Sequence, residues 1–199
     1  MAERVHRAPA QRRREALLRA AIEIVAESGP GAATHRAVAA RAGLPPATTS
    51  YFFGSIDELL VEATRHFTAE QAVTYEALAA ELIDAPPAEF AARFAATLMG
   101  ADRTIELAQV EAYLRAARDP GLRPAAAEVM GAFERATTAA LTAAGVADPH
   151  RHARTFMAYV DGCMLRHLAN PRPDDEDRLR DGLEDLFNAA QRMPAGGRR

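Results

Sequence analysis

Apolar positions recur at helical spacing along almost the whole chain, and no stretch alternates as a strand would. Leu18, Ile22 and Val25, with Leu17 and Ala21 beside them, form one stripe between Glu15 and Glu27, and Ser28-Gly29-Pro30-Gly31 ends it. Val38, Ala39 and Ala42 make a narrower stripe behind Thr34, whose hydroxyl suits a helix cap. Gly43 then stands where a left-handed backbone is needed, Leu44 closes the corner, and Pro46 fits the first position of another short helix. Ser55 and Glu58 have capping-box spacing and open a long helix through Leu59, Leu60, Ala63, Phe67 and Leu78, to Ile83.

The remainder predicts further helices. Pro87 opens one with Phe90, Phe94 and Leu98 at i, i+4 and i+8, and Gly100-Ala101-Asp102 breaks it with Asp102 as a cap. Arg103 to Arg118 follows, then a turn at Asp119-Pro120-Gly121. Leu122 to Ala144 carries Val129, Phe133 and Leu141 inside. Asp148-Pro149 restarts the chain as cap and first residue, and His150 to Ala169 is apolar on more than one side. The acids Asp174 to Asp177 suit the positive end of a last helix striped by Leu179, Leu183, Leu186 and Phe187. Met1 to Ala10 has no periodicity and reads as an arm, and residues after Met193 read as frayed. The expected fold class is all-α, with a three-helix amino-terminal head over 1–54 and a helical body over 55–199.

The corner at Gly43 is the helix-turn-helix pattern, two short helices joined by a Gly-containing turn. Its second helix carries Ala47, Thr48, Thr49 and Ser50, small residues that let a backbone approach a major groove, with hydroxyls for base edges or phosphates. Tyr51 adds a phenol, and Phe52 and Phe53 anchor the helix end, at least one of them in the core. The same shape also serves as a plain helical corner in an all-α protein. Charge bears on the two readings, although Arg residues that merely solvate a helix face would give the same count. Through Gly54 there are eight Arg against four acids, and beyond it sixteen Arg against twenty-three acids. A basic first part on an acidic body is the distribution of a DNA reader with a second domain. Arg12, Arg13 and Arg14 cluster near the start of a helix, where cations oppose the helix dipole and a phosphate would relieve them.

The run Gly43-Leu44-Pro45-Pro46-Ala47-Thr48-Thr49-Ser50-Tyr51-Phe52-Phe53-Gly54-Ser55-Ile56-Asp57-Glu58-Leu59-Leu60 resembles the signature of the tetracycline-repressor (TetR) family of transcription regulators. The resemblance covers about the first third of the chain. It departs where the family's Tyr before a His-Phe pair is Ser50, with Tyr51 one place on, where the His is Phe52, and where the usual Lys is Ile56. It implies a DNA-binding head, a body that binds a small-molecule effector, a homodimer and a double-stranded operator, with repression relieved by ligand. The candidate DNA-contacting set is Arg13, Arg14, Thr34, His35, Arg36, Ala47, Thr48, Thr49, Ser50 and Tyr51.

Glu111 shares a helix face with Leu107, Leu114 and Arg118, so it pairs with Arg118 or anchors a ligand in an apolar cavity. Tyr113, with Phe94, Met99, Met130, Phe133, Phe156 and Tyr159, is a candidate lining, although such a set at helical spacing also makes plain core. The expected dimer face is Phe156, Val160, Met164 and His167 with Leu179, Leu183, Leu186 and Phe187, two helices from each chain. His150, His152 and His167 with Asp161 suggest a metal by composition, but His150 and His152 are too close in sequence to share a face, so no metal or other cofactor is expected. No Gly-rich phosphate loop, nucleophile elbow or zinc motif marks an enzyme. The single cysteine, Cys163, excludes an internal disulfide and suits a reducing cytoplasm, and no apolar run spans a bilayer, so no membrane partner is expected. The alternative is an all-α ligand-binding or scaffold protein that does not touch DNA, which has no need of a basic arm joined to a hydroxyl-rich second helix.

Overall fold

The computed structural model describes residues 2–83 and 89–192. The described residues form α1 (Ala2–Ser28), α2 (His35–Arg41), α3 (Ala47–Phe52), α4 (Ile56–Ile83), α5 (Phe90–Met99), α6 (Arg103–Arg118), α7 (Arg123–Ala143), α8 (Pro149–Ala169) and α9 (Asp175–Arg192). Short 3-10 turns at Pro30–Ala32 and Pro120–Leu122 precede α2 and α7. The predicted opening at Pro87 lies outside the described residues, and the helix is described from Phe90. The expected arm is replaced by helix: α1 begins at Ala2 and runs through Pro9. Its composition of Ala, Glu and Arg favours helix without any apolar stripe.

Chain packing divides into two compact units, residues 1–70 with 107–126, and residues 71–106 with 127–199. The first unit is built on Leu17, Leu18, Ala21 and Val25 of α1, Val38 of α2, Phe53, and Leu59, Leu60 and Ala63 of α4. Phe53 is fully buried and Phe52 packs partly against the same cluster. Thus the expected three-helix head draws its floor from the first turns of α4. The capping box is displaced by one residue: Ser55 Oγ accepts from Glu58 N at 3.1 Å, while Glu58 Oε2 accepts from Gly54 N at 2.7 Å.

The second unit centres on Phe94, Phe133, Leu141, Phe156, Val160, Leu179 and Leu183. Asp148 precedes α8 in a left-handed conformation (φ 51°) and makes no side-chain cap bond, so Pro149 alone marks the start there. Where α8 meets α9, Tyr159 lies over Gly182, and a Cβ on that glycine would collide with the phenol ring. Gly182→Ala is therefore expected to displace Tyr159 and destabilise this unit by about 1–3 kcal/mol in urea unfolding, the usual cost of overpacking. A change within experimental error would show that the ring relocates freely.

Candidate nucleic-acid interface and effector region

The turn between α2 and α3 follows from Gly43. Its φ of 67° reverses the chain, and the amides of Gly43 and Leu44 reach back to Ala40 O and Ala39 O at 3.1 and 2.9 Å. Those two bonds form a Schellman end, with Leu44 packed inward against the head core. Thr34 caps α2, its Oγ1 accepting from Ala37 N at 3.1 Å. Thr49 then locks α3 to α2: its hydroxyl donates to His35 O at 3.0 Å and Pro46 O at 3.2 Å, and the residue is fully buried.

Burial sorts the candidate DNA-contacting residues. Arg13, Arg36, Ala47, Ser50 and Tyr51 are exposed, Tyr51 to 81 %. Thr34 is exposed with its oxygen used as a cap, and Thr48 and His35 are half-buried. The structure removes Thr49 from the groove-facing set. Thr49 is an internal clamp, because in a six-residue helix it occupies the position that faces α2. Arg14, a candidate phosphate contact, pairs with Glu62 of α4 and holds its guanidinium 5.4 Å from the centre of the Phe53 ring. Arg41, which the sequence pattern did not single out, grips Glu27 through two bonds of 2.9 and 2.6 Å and touches Glu23 at 3.3 Å, holding α2 against α1. The Arg41 hydrogen bond holds the Glu27 carboxyl below its ordinary range. No periodicity links residues this far apart in sequence.

Thr49→Val keeps the shape and removes the donor. We expect the head to lose about 1 kcal/mol, the usual net worth of one hydrogen bond, with base preference unchanged. Altered base preference at unchanged thermal stability would return Thr49 to the groove.

The candidate effector residues fall in both units. In the second, Phe94, Phe133 and Phe156 are buried core. Phe94 stacks on Phe133 at 5.6 Å and 8°, and Tyr75, absent from the sequence-derived set, meets Phe133 at 4.9 Å. Met99 and Tyr159 pack partly against this core, whereas Met130 is exposed and does not join it. In the first unit, Tyr113 packs beside Ala116 and Leu122 and its hydroxyl accepts from Gln109 Nε2 at 3.0 Å. Glu111 is half-buried and makes no ion pair with Arg118 among the described residues.

A hollow of about 300 Å³ between α8 and α9 is lined by Met99, Tyr159, Cys163, Arg166 and Arg178 among others. Tyr159 OH donates to Arg178 O at 2.9 Å, and burial, aided by Cys163, pushes the phenol up to about 12. His167 Nδ1 lies 2.7 Å from Asp175 Oδ2, which also accepts from Arg172 N at 2.8 Å; these bonds hold the Asp175 carboxyl below its ordinary range. Burial raises Glu106, against the pull of His167 and Arg103. Among the described residues no group of three or more His, Cys, Asp or Glu is arranged to hold a metal ion, and no helix is long and apolar enough to cross a membrane.

Half of the expected dimer face needs correction. Phe156, Val160, Leu179 and Leu183 are buried within the single chain, and Met164, Leu186 and Phe187 pack partly on the same core. His167 is engaged by Asp175. Each helix has one strong stripe, and its own chain uses it. The surface left on α8 is a second, weaker row of Thr155, Ala158, Gly162, Leu165 and Ala169, all exposed, at alternating steps of three and four.

A helix-turn-helix head with an exposed second helix, followed by a helical body, defines the class of helical DNA-binding regulators. The chain matches the family described as "Bacterial regulatory proteins, tetR family" over residues 17–63, and "Tetracyclin repressor-like, C-terminal domain" over 84–190. A solved TetR-family protein from Streptomyces coelicolor A3 is 34 % identical, with 87 % of this chain and 97 % of that one covered at a TM-score of 0.69. The multidrug binding protein EbrR, complexed with imidazole, is 35 % identical over 92 % of this chain and 97 % of that one, at 0.67. EbrR complexed with ethidium is 34 % identical over 87 % and 97 %, at 0.66. No curated protein sequence matches the chain. The chain belongs to the TetR family, and it is a DNA-binding transcription regulator of the ligand-responsive kind.

Proposed function

We propose that the protein is a repressor that binds a palindromic operator as a homodimer and leaves it when a planar aromatic cation binds the body. The observation that carries the DNA part is the exposed face of α3, with Tyr51 81 % open to solvent and Arg36 and Arg13 exposed on α2 and α1. The effector class is supported by EbrR, which is solved with ethidium, proflavin and malachite green. In this chain Met99, partly buried at the edge of the ring core, is placed to meet a dye. Residues 1–54, floored by the first turns of α4, are the DNA-binding head, and the remainder of 55–199 is the effector and dimerisation part. α4 contributes residues to both compact units, which makes it the route of coupling. Two heads fit successive major grooves only near about 34–36 Å of separation, so a small displacement of α4 costs base contacts at both half-sites. Coupling is reciprocal: operator weakens effector binding by the factor by which effector weakens operator binding.

The test is selection of bound genomic fragments, followed by release with ethidium or proflavin. Enriched sequences should share an inverted repeat, and dye should release them. Enrichment without a repeat would sink the palindromic dimer, and binding indifferent to both dyes would sink the effector class.

A further inference from the structure

The outward face of α3 has a restricted chemistry for a surface presented to DNA. From Leu44 to Phe53 the chain holds no Arg, Lys, His, Asn, Gln, Asp or Glu. The side chains that make paired hydrogen bonds to guanine or adenine edges are thus absent from the turn and the helix alike. Exposed there are Pro45, Pro46, Ala47, Ser50 and Tyr51, with Thr48 half-covered and Thr49 committed inside. The hydroxyls of Thr48, Ser50 and Tyr51 each donate or accept, so each suits several base edges and discriminates weakly. What remains to discriminate is apolar: the Pro46 ring, the Ala47 and Thr48 methyls and the Tyr51 ring. In the major groove the base feature that matches apolar atoms is the 5-methyl group of thymine.

We infer that α3 reads its half-site chiefly through thymine methyl groups, with Ala47 as the central specificity-determining residue and Pro46 and the Tyr51 ring beside it. The inference rests on the proposal that α3 enters the major groove. Ala47 and Tyr51 are one helical turn apart and share a face. The shortness of Ala47 brings the backbone close, so its methyl meets the base methyl without an intervening side chain. Arg13 and Arg36 supply charge to phosphates, which positions the head without specifying sequence.

The test uses the operator selected by the wild-type protein. Each half-site thymine is replaced in turn by uracil, which keeps the pairing and the O4 acceptor and loses only the methyl. Each replacement opposite α3 should weaken binding about four-fold, the worth of burying one methylene-sized group. Replacements in the spacer and flanks should have no effect. Ala47→Gly should lose the discrimination between thymine and uracil only at the position facing Ala47, while replacements facing Pro46 and Tyr51 still weaken its binding. Wild-type indifference to uracil in the half-sites, or half-sites without thymine, overturns the inference and leaves the DNA-binding proposal standing. A larger loss from 7-deazaguanine than from uracil also overturns it, in favour of guanine contacts made by Arg36. Failure to enrich any sequence overturns the DNA-binding proposal and this inference with it.

Discussion

Leu165→Glu should convert the protein to a monomer and abolish tight binding to a two-half-site operator. Leu165 is 55 % exposed and lies mid-row on α8, between Gly162 and Ala169. In a twofold contact one substitution appears twice. Each copy forfeits the burial of a Leu side chain, about 1.5–3 kcal/mol, and places a carboxylate where no partner awaits it. Loss of the dimer then removes the advantage of joined half-sites, roughly 10²–10⁴ in affinity. Sedimentation at micromolar protein reads the first effect and operator titration the second. Leu183→Glu is the contrast: Leu183 is wholly buried in its own chain, so that variant should lose the fold of the body rather than the partner. A dimeric Leu165→Glu protein with intact operator affinity would move the interface elsewhere.

Phe94→Ala should lower the stability of the second unit by about 3–5 kcal/mol. Phe94 is fully enclosed and lies flat against Phe133, so truncation leaves a cavity among rings that are fixed by their neighbours. Met99, only partly buried at the edge of this core, should tolerate truncation better while changing dye affinity more. Urea unfolding and dye titration of the two variants separate core from lining. A Phe94→Ala protein of wild-type stability with lost dye response would make Phe94 a ligand contact after all.

The first ten residues apart, the helices were legible because each carries its own periodic stripe and its own punctuation, as at Gly43 and at Ser55 with Glu58. Partnerships between helices were less so. A six-residue helix is too short for its period to show which of Thr48 and Thr49 faces inward, and the structure gives that place to Thr49. The stripe of Leu179, Leu183, Leu186 and Phe187 announced burial correctly, but a stripe cannot say whether its own chain or another covers it. Arg14 and Arg41 look like surface cations in sequence, and only the fold brings Glu62, Phe53 and Glu27 to them. The match of Gly182 to the Tyr159 ring is likewise a property of two helices, invisible in either alone.

The Arg14 contact bears on how the head comes apart. Its guanidinium joins the start of the α1 core to Glu62 on α4 and to Phe53, the residue that ends α3. Those three helices also share a single apolar cluster. Opening α3 alone would strand Phe53 in water and strip a face from Arg14, so α3 has no inexpensive private fluctuation despite its shortness. Its slowest-exchanging amides should therefore exchange with the same opening free energy as those of Leu59 to Ala63, and Glu62→Gln should lower that free energy in both together.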